Sequence, residues 1–118
     1  MRVLIVDDSG VTRKMVARAL RQAGLELDVV HEAGDGLEGL EVLGRETVDL
    51  VISDWNMPNM DGPGFVRALR KSSQVPVVMV TTEASAAKIE ETRAMGANGH
   101  IAKPLKADEV QAVISPLV

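Results

Sequence analysis

A chain of 118 residues with 46% hydrophobic content is long enough to form one domain, residues 1–118, around a buried core. Its net charge of −4 and aromatic content of 2% argue against a nucleic-acid-binding surface, and the absence of cysteine excludes disulfides and thiolate metal sites. The longest early apolar run, Val3 to Val6, leads directly into two aspartates, so neither a signal peptide nor a membrane span is expected and a cytoplasmic protein is predicted.

Short runs rich in β-branched residues alternate with longer amphipathic segments, which is typical of a parallel sheet with helices on both faces. Strands are predicted at Arg2 to Val6, Asp28 to Glu32, Val48 to Ser53, Val77 to Thr81 and Gly99 to Ala102. Helices are predicted at about Gly10 to Ala23, Leu37 to Arg45, Pro63 to Lys71, Ser85 to Met95 and Ala107 to Ser115. The sequence therefore predicts a doubly wound α/β fold with five parallel strands.

Several predicted helix ends have a local cause. Ser9 can cap the first helix through its hydroxyl, and Gly24 can end it by adopting a left-handed conformation. The last helix has Lys106 where a cap is expected, so its start depends on Asp108 and Glu109 near the positive end of the helix dipole. Pro116 is expected to end that helix.

The first predicted helix carries basic residues without an acidic residue among them: Arg13, Lys14, Arg18 and Arg21. Such a run is either a solvated helix face or a surface on which a partner docks. Both interpretations stay open from the sequence.

Polar side chains fall where the predicted strands end. Asp7 and Asp8 follow the first strand, Asp54 follows the third, Lys103 follows the fifth, and Thr81 ends the fourth. Each acid alone is equally well explained as a turn or cap residue. Because the carboxyl ends of parallel strands meet at one edge of the sheet, the set predicts a carboxylate cluster flanked by an ammonium and a hydroxyl.

Three carboxylates at such short range repel one another, so protons or a cation must neutralise some of them. Oxygen ligands without histidine or cysteine favour Mg²⁺ or Mn²⁺, and Mg²⁺ commonly binds carboxylates together with phosphate oxygens. An aspartate carboxylate can itself accept a phosphoryl group and form an acyl phosphate. Mg²⁺, Lys103 and Thr81 would then stabilise the charge on the transferring oxygens.

From Val3 to about Val113 the sequence resembles receiver domains of two-component response regulators, especially those of the single-domain chemotaxis type. The motifs are Val-Asp7-Asp8, Ser-Asp54-Trp-Asn-Met-Pro-Asn-Met-Asp61-Gly62, Val-Thr81-Thr-Glu and Ala-Lys103-Pro104. The resemblance implies a flavodoxin-like receiver fold with strand order 2-1-3-4-5. It also implies that the protein is a signalling switch. Such a protein is not an enzyme, except that it catalyses its own phosphoryl transfer and autodephosphorylation.

The resemblance further implies that Asp54 is the phosphoacceptor. The phosphoryl donor would be a phosphohistidine on a sensor histidine kinase or a phosphotransfer domain, which docks on the first helix. Asp8, Asp54 and the backbone carbonyl of Asn56 would hold Mg²⁺, and Asp7 would act mainly through a metal-bound water.

In the same family Lys103 would pair with the acceptor or the phosphoryl group, and Thr81 would move to hydrogen-bond a phosphoryl oxygen. A cis peptide bond is expected between Lys103 and Pro104. A downstream protein target, which the sequence does not identify, would bind the face formed by helix 4, strand 5 and helix 5.

Two positions depart from the family pattern. His100 stands where these regulators usually carry tyrosine or phenylalanine, and Leu105 stands where phenylalanine is common. A histidine is smaller, more polar and able to gain a charge near neutral pH. We therefore hypothesise weaker or pH-dependent switching.

The lifetime of an acyl phosphate depends in this family on residues near the site, here Asn56, Thr82 and Glu83. Asn56 and Glu83 can position a water for hydrolysis, which favours a short-lived signal. Thr82 is bulkier than the alanine or glycine often found there, which favours slower access of water.

Two other functions compete with this interpretation. An Mg²⁺-dependent phosphatase with an aspartate nucleophile would need an acid two residues after Asp54, where this chain has Asn56, and the expected cap domain has no room in 118 residues. A receiver-like scaffold would bind a partner without being switched by phosphorylation. The unusual His100 leaves the scaffold open.

Overall fold

Strands and helices alternate along the whole chain in the computed structural model, which describes residues 1–83 and 85–118. The strands are β1 (Arg2–Val6), β2 (Val29–Ala33), β3 (Leu50–Asp54), β4 (Val77–Thr81) and β5 (Gly99–Ala102). The helices are α1 (Gly10–Gln22), α2 (Gly36–Arg45), α3 (Gly62–Leu69), α4 (Ala86–Met95) and α5 (Ala107–Ile114), followed by a 3₁₀ helix at Ser115–Leu117.

All neighbouring strands pair in parallel, in the order β2-β1-β3-β4-β5. This confirms the predicted fold class and strand order. The chain first adds β2 on one side of β1 and then crosses to place β3 on the other side. The carboxyl ends of β1 and β3 therefore border the point where the winding reverses, which is where open α/β sheets bind their ligands.

The sheet is covered on both faces because successive side chains of a strand point to opposite sides. On one face Ile5 and Ile52 pack with residues of α1 and α5, including Leu20 and Ile114. On the other face the core contains Phe65 of α3 together with buried residues of β1, β3, α2 and α4. Within the described part of the chain, none of the helices is long and apolar enough to cross a membrane.

Two strands differ from the sequence prediction at both ends: β2 runs Val29–Ala33 and not Asp28 to Glu32, and β3 runs Leu50–Asp54 and not Val48 to Ser53. β3 begins at Leu50 and not at Val48, because the carboxylate of Asp49 accepts the Arg2 N–H at 2.7 Å and takes that donor out of the ladder. β2 extends to Ala33, whose carbonyl accepts the Asp7 N–H at 3.0 Å.

The helix ends follow the predicted local causes. Ser9 caps α1 by accepting the Thr12 N–H at 3.2 Å, and Gly24 has a φ of 92° just beyond the end of the helix. α5 has no side-chain cap from Lys106, and its first turn contains Asp108 and Glu109. α5 stops at Ile114, one residue earlier than predicted.

Candidate functional site

The three aspartates lie together at the edge of the sheet. Asp7, Asp8 and Asp54 each offer a carboxylate oxygen, and these oxygens lie within 4.8 Å of one another. The register that pairs Val6 with Ser53 produces this, because the residues that follow each of these two emerge side by side. Asp7 is buried, Asp54 is half-buried and Asp8 is exposed, so the cluster opens to solvent.

Asp7 is the innermost carboxylate, with 4% of its surface exposed. Burial raises its pKa above the ordinary value, and the negative charges of Asp54 and Asp8 act in the same direction. The Ser9 N–H, which donates to Oδ1 at 2.8 Å, and the charge of Lys103 act in the opposite direction. Burial is the main cause of the net rise, so the ionised form of Asp7 is disfavoured in this position.

Lys103 supplies one cation to the cluster. Its Nζ lies 3.2 Å from Oδ1 of Asp54 and 3.5 Å from Oδ2 of Asp7. The backbone N–H of Lys103 donates to the carbonyl of Thr81 at 2.8 Å, and the bond to Pro104 is cis as expected. Three carboxylates against one ammonium leave two negative charges in excess when all are ionised, which suits a divalent cation.

Asp54 is the last residue of β3, and its surroundings leave little freedom. Its Oδ1 also accepts the N–H of Trp55 at 2.8 Å, and the hydroxyl of Ser53 donates to its carbonyl at 2.9 Å. At Gly62 a Cβ atom would lie 2.5 Å from that same carbonyl oxygen. The start of α3 thus packs directly against the backbone of Asp54. The sequence motif contains Gly62 but does not indicate this contact.

Thr81 ends β4 beside the cluster, with 5% of its surface exposed. Asp54 pairs with Val80 in the sheet, so Thr81 lies one residue beyond Asp54. Its Oγ1 accepts the Glu83 N–H at 3.0 Å. Thr82 and Glu83 are exposed on the loop that follows, and Asn56 is exposed on the loop after β3.

His100 lies away from the carboxylates, in the middle of β5 and opposite Met79. It is half-buried and lines a groove with Ile89 of α4 and Val113 of α5. The position thus belongs to the face between α4 and α5 that the resemblance assigns to output.

Half of the basic run on α1 has partners inside the molecule. Arg13 Nε and Lys14 Nζ contact the two oxygens of Glu32 on β2, at 2.9 Å and 3.1 Å, and these hydrogen bonds lower the pKa of Glu32. Arg13 also donates through Nη1 to the carbonyl of Asp7 at 2.6 Å. Arg18 and Arg21 are exposed, and the side chain of Lys14 is also 77% exposed although it contacts Glu32, so three members of the run face solvent.

A contact that sequence reasoning missed joins α4 to the residue after Asp54. Lys88 Nζ lies 4.1 Å from the centroid of the Trp55 ring, within the range of a cation–π interaction. Trp55 is 6% exposed. No periodicity in the sequence indicates this pair, because it depends on how α4 lies over the loop after β3.

Comparisons with known proteins agree with this architecture. A family model described as "Response regulator receiver domain" matches residues 3–115. The chemotaxis protein CheY-3 of Vibrio cholerae serotype O1 is 39% identical over 110 residues, which cover 91% of this chain and 83% of that protein. A probable chemotaxis protein CheY of Rhizobium etli is 35% identical over 117 residues, covering 97% of this chain and 89% of that one. The solved structure of the chemotaxis response regulator CheY4 of Vibrio cholerae is 40% identical and superposes with a TM-score of 0.84, covering 99% of this chain and 98% of the other.

Proposed function

Because this chain belongs to the response regulator receiver domain family, we propose that residues 1–118 form one receiver domain that is switched by phosphorylation of Asp54. The donor is a phosphohistidine on a sensor histidine kinase or on a phosphotransfer domain. The observation that carries this proposal is the convergence of Asp7, Asp8, Asp54 and Lys103 at one sheet edge, with Lys103 Nζ 3.2 Å from Asp54 Oδ1.

The donor set fits Mg²⁺. Asp8 and Asp54 would bind it through carboxylate oxygens, Asn56 through its backbone carbonyl, and Asp7 mainly through a water. The excess negative charge of three carboxylates beside one ammonium supports the need for such a cation. When bound, Mg²⁺ neutralises charge on the phosphoryl oxygens.

The chain's own residues carry the transfer. A carboxylate oxygen of Asp54 attacks phosphorus, the phosphorus–nitrogen bond to the donor imidazole breaks, and the imidazole leaves with the electron pair of that bond. The Lys103 ammonium, already beside Asp54, stabilises the charge of the transferred oxygens. Thr81 exchanges the Glu83 N–H contact for a hydrogen bond from its hydroxyl to a phosphoryl oxygen.

The switch is read out at the face of α4, β5 and α5, where a downstream protein binds and where His100 lies. The donor docks at α1, whose exposed basic residues are Lys14, Arg18 and Arg21. Asn56, Thr82 and Glu83 set the lifetime by admitting or orienting water. The chain thus catalyses only its own phosphorylation and dephosphorylation.

Intact mass spectrometry after incubation with acetyl phosphate tests the proposal. We expect a gain of one phosphoryl group that requires Mg²⁺ and is lost in Asp54→Asn. The same measurement is repeated with a phosphorylated histidine kinase domain as donor. It tests whether the chain accepts phosphoryl groups only from a protein. If neither donor modifies the wild-type chain, the proposal that phosphorylation switches this protein is wrong. The remaining function is then that of a receiver-like scaffold.

A further inference from the structure

The loop that leaves the candidate site between β3 and α3 is attached to a distant part of the chain. Nδ2 of Asn59 donates to Oδ2 of Asp35 at 2.7 Å, and the N–H of Gly36 donates to the carbonyl of Met60 at 3.2 Å. Asp35 precedes α2 and is 8% exposed. These two hydrogen bonds join consecutive residues of the loop to consecutive residues at the start of α2.

The loop bends sharply where it is attached. Asn59 has a φ of 64°, in the left-handed region that asparagine adopts more readily than most residues. The next residue, Met60, donates its N–H to the carbonyl of Pro58 at 2.6 Å. A bend of this kind needs contacts with neighbouring residues to stabilise it. The side chain of Asn59 supplies one of them, through its hydrogen bond to Asp35.

The start of α2 is a firm point of attachment. The other oxygen of Asp35, Oδ1, accepts the Glu38 N–H at 2.9 Å and caps the helix. A Cβ atom at Gly36 would lie 2.7 Å from Met60 Cγ and 2.9 Å from Phe65 Cβ, so the helix packs closely on the loop and on α3. Both oxygens of Asp35 are engaged, and the hydrogen bonds from Asn59 and from Glu38 lower its pKa, so the carboxylate stays ionised.

We propose that the hydrogen bond between Asn59 and Asp35 is a latch that positions the loop after Asp54 and thereby raises the affinity of the acidic cluster for Mg²⁺. The inference rests on the proposed function, in which the backbone carbonyl of Asn56, on the same loop, is a metal ligand. Asn59 and Asp35 are positioning residues, because they act through the backbone of the loop. The latch limits the number of conformations that the loop carrying the Asn56 carbonyl can adopt before the metal binds.

Three substitutions separate the hydrogen bond from its surroundings. Asn59→Gly removes the side chain and tolerates the positive φ, so the bend stays available. Asp35→Ser keeps a helix cap but lacks the second oxygen that receives Asn59. Asp35→Asn loses the same negative charge as Asp35→Ser, yet it can cap α2 with its oxygen and donate to Asn59 once the Asn59 amide is turned over.

The affinity for Mg²⁺ is measured by titration of Trp55 fluorescence, with thermal unfolding of each variant as the check on folding. We expect the dissociation constant to rise about fivefold in Asn59→Gly and in Asp35→Ser, as for the loss of one net hydrogen bond. The value for Asp35→Asn stays within about twofold of wild type, and the double variant Asn59→Gly/Asp35→Ser binds no more weakly than either single variant. Amide exchange at Gly36 becomes faster in Asn59→Gly, in the absence of metal.

Unchanged Mg²⁺ affinity in Asn59→Gly and Asp35→Ser overturns the latch while leaving the proposed function in place. Equal weakening in Asp35→Asn and Asp35→Ser also overturns it, because charge and not the hydrogen bond would then be responsible. Failure of the wild-type chain to bind Mg²⁺ removes the proposed metal site and the latch together.

Discussion

The ammonium of Lys103 lies 3.2 Å from Oδ1 of Asp54, although the two residues are 49 positions apart in the chain and β4 separates their strands. Lys103 reaches across the end of β4 to make this contact. The side chain is 24% exposed, so water screens the pair only in part. In this structure Lys103 therefore already lies beside Asp54, from where it would stabilise phosphoryl oxygens in the proposed transfer.

Lys103→Met is expected to change Mg²⁺ binding and phosphorylation in opposite directions. Removal of the ammonium leaves the carboxylates with more uncompensated charge, so Mg²⁺ binds more tightly. Phosphorylation by acetyl phosphate slows by about 100-fold, because the transferred oxygens lose a charged partner. Trp55 fluorescence reports the first effect and intact mass over time the second. Weaker Mg²⁺ binding in this variant would contradict the charge balance described here.

Asp7→Asn is expected to stabilise the metal-free protein and to weaken Mg²⁺ binding. The folded-state pKa of Asp7 is raised, so its protonated form stabilises the fold at low pH and that contribution is lost as the pH rises through the folded pKa. Thermal unfolding without Mg²⁺ should therefore show a higher melting temperature for Asp7→Asn than for wild type at about pH 8, and a smaller difference at about pH 4. The reverse order of the two differences would show that Asp7 is not the group responsible.

Gly62→Ala and Gly44→Ala should have opposite effects on stability. The new Cβ of Gly62→Ala would lie 2.5 Å from the carbonyl oxygen of Asp54, so the free energy of unfolding falls by about 1–3 kcal/mol. At Gly44 in α2 nothing lies within 4 Å of the new Cβ. The better helix propensity of alanine therefore raises the free energy of unfolding by up to about 1 kcal/mol. Denaturant unfolding measures both. A neutral Gly62→Ala would mean that α3 can move away from Asp54 at little cost.

His100 is expected to couple Asp54 to the output face more weakly than a larger aromatic ring would. The imidazole ring is smaller and more polar than a phenyl ring, so it gains less free energy from burial between α4 and α5. Amide NMR shifts of α4 and α5 on phosphorylation should be larger in His100→Phe than in the wild-type chain, and smaller in His100→Ala. Equal shifts in all three proteins would remove the hypothesis.

Thr82 and Glu83 are expected to act oppositely on the lifetime of the phosphorylated state. Thr82 borders a groove with Lys103 and Pro104, so Thr82→Ala opens access for water and speeds hydrolysis. Glu83→Ala removes a side chain that can orient water and slows it. The decay of the phosphorylated mass after removal of acetyl phosphate measures both. A slower decay in Thr82→Ala would show that Thr82 assists hydrolysis.

Local patterns were sufficient for most of the secondary structure. The bounds of β1, β4 and β5 are those predicted, and β1 and β4 are short runs rich in β-branched residues. The early start predicted for β3 was wrong because the competing hydrogen bond from Arg2 to Asp49 joins residues 47 positions apart, and no local rule includes such a partner.

The sequence by itself determined the order of the elements, the resemblance to receiver domains, and the positions of Asp7, Asp8, Asp54, Thr81 and Lys103 at strand ends. Only the tertiary structure decided the distances between these residues. It also decided three contacts: Arg13 and Lys14 with Glu32, Lys88 with Trp55, and Asn59 with Asp35. Periodicity and capping act over a few residues, whereas these contacts depend on the strand register and on how helices and loops pack across the sheet.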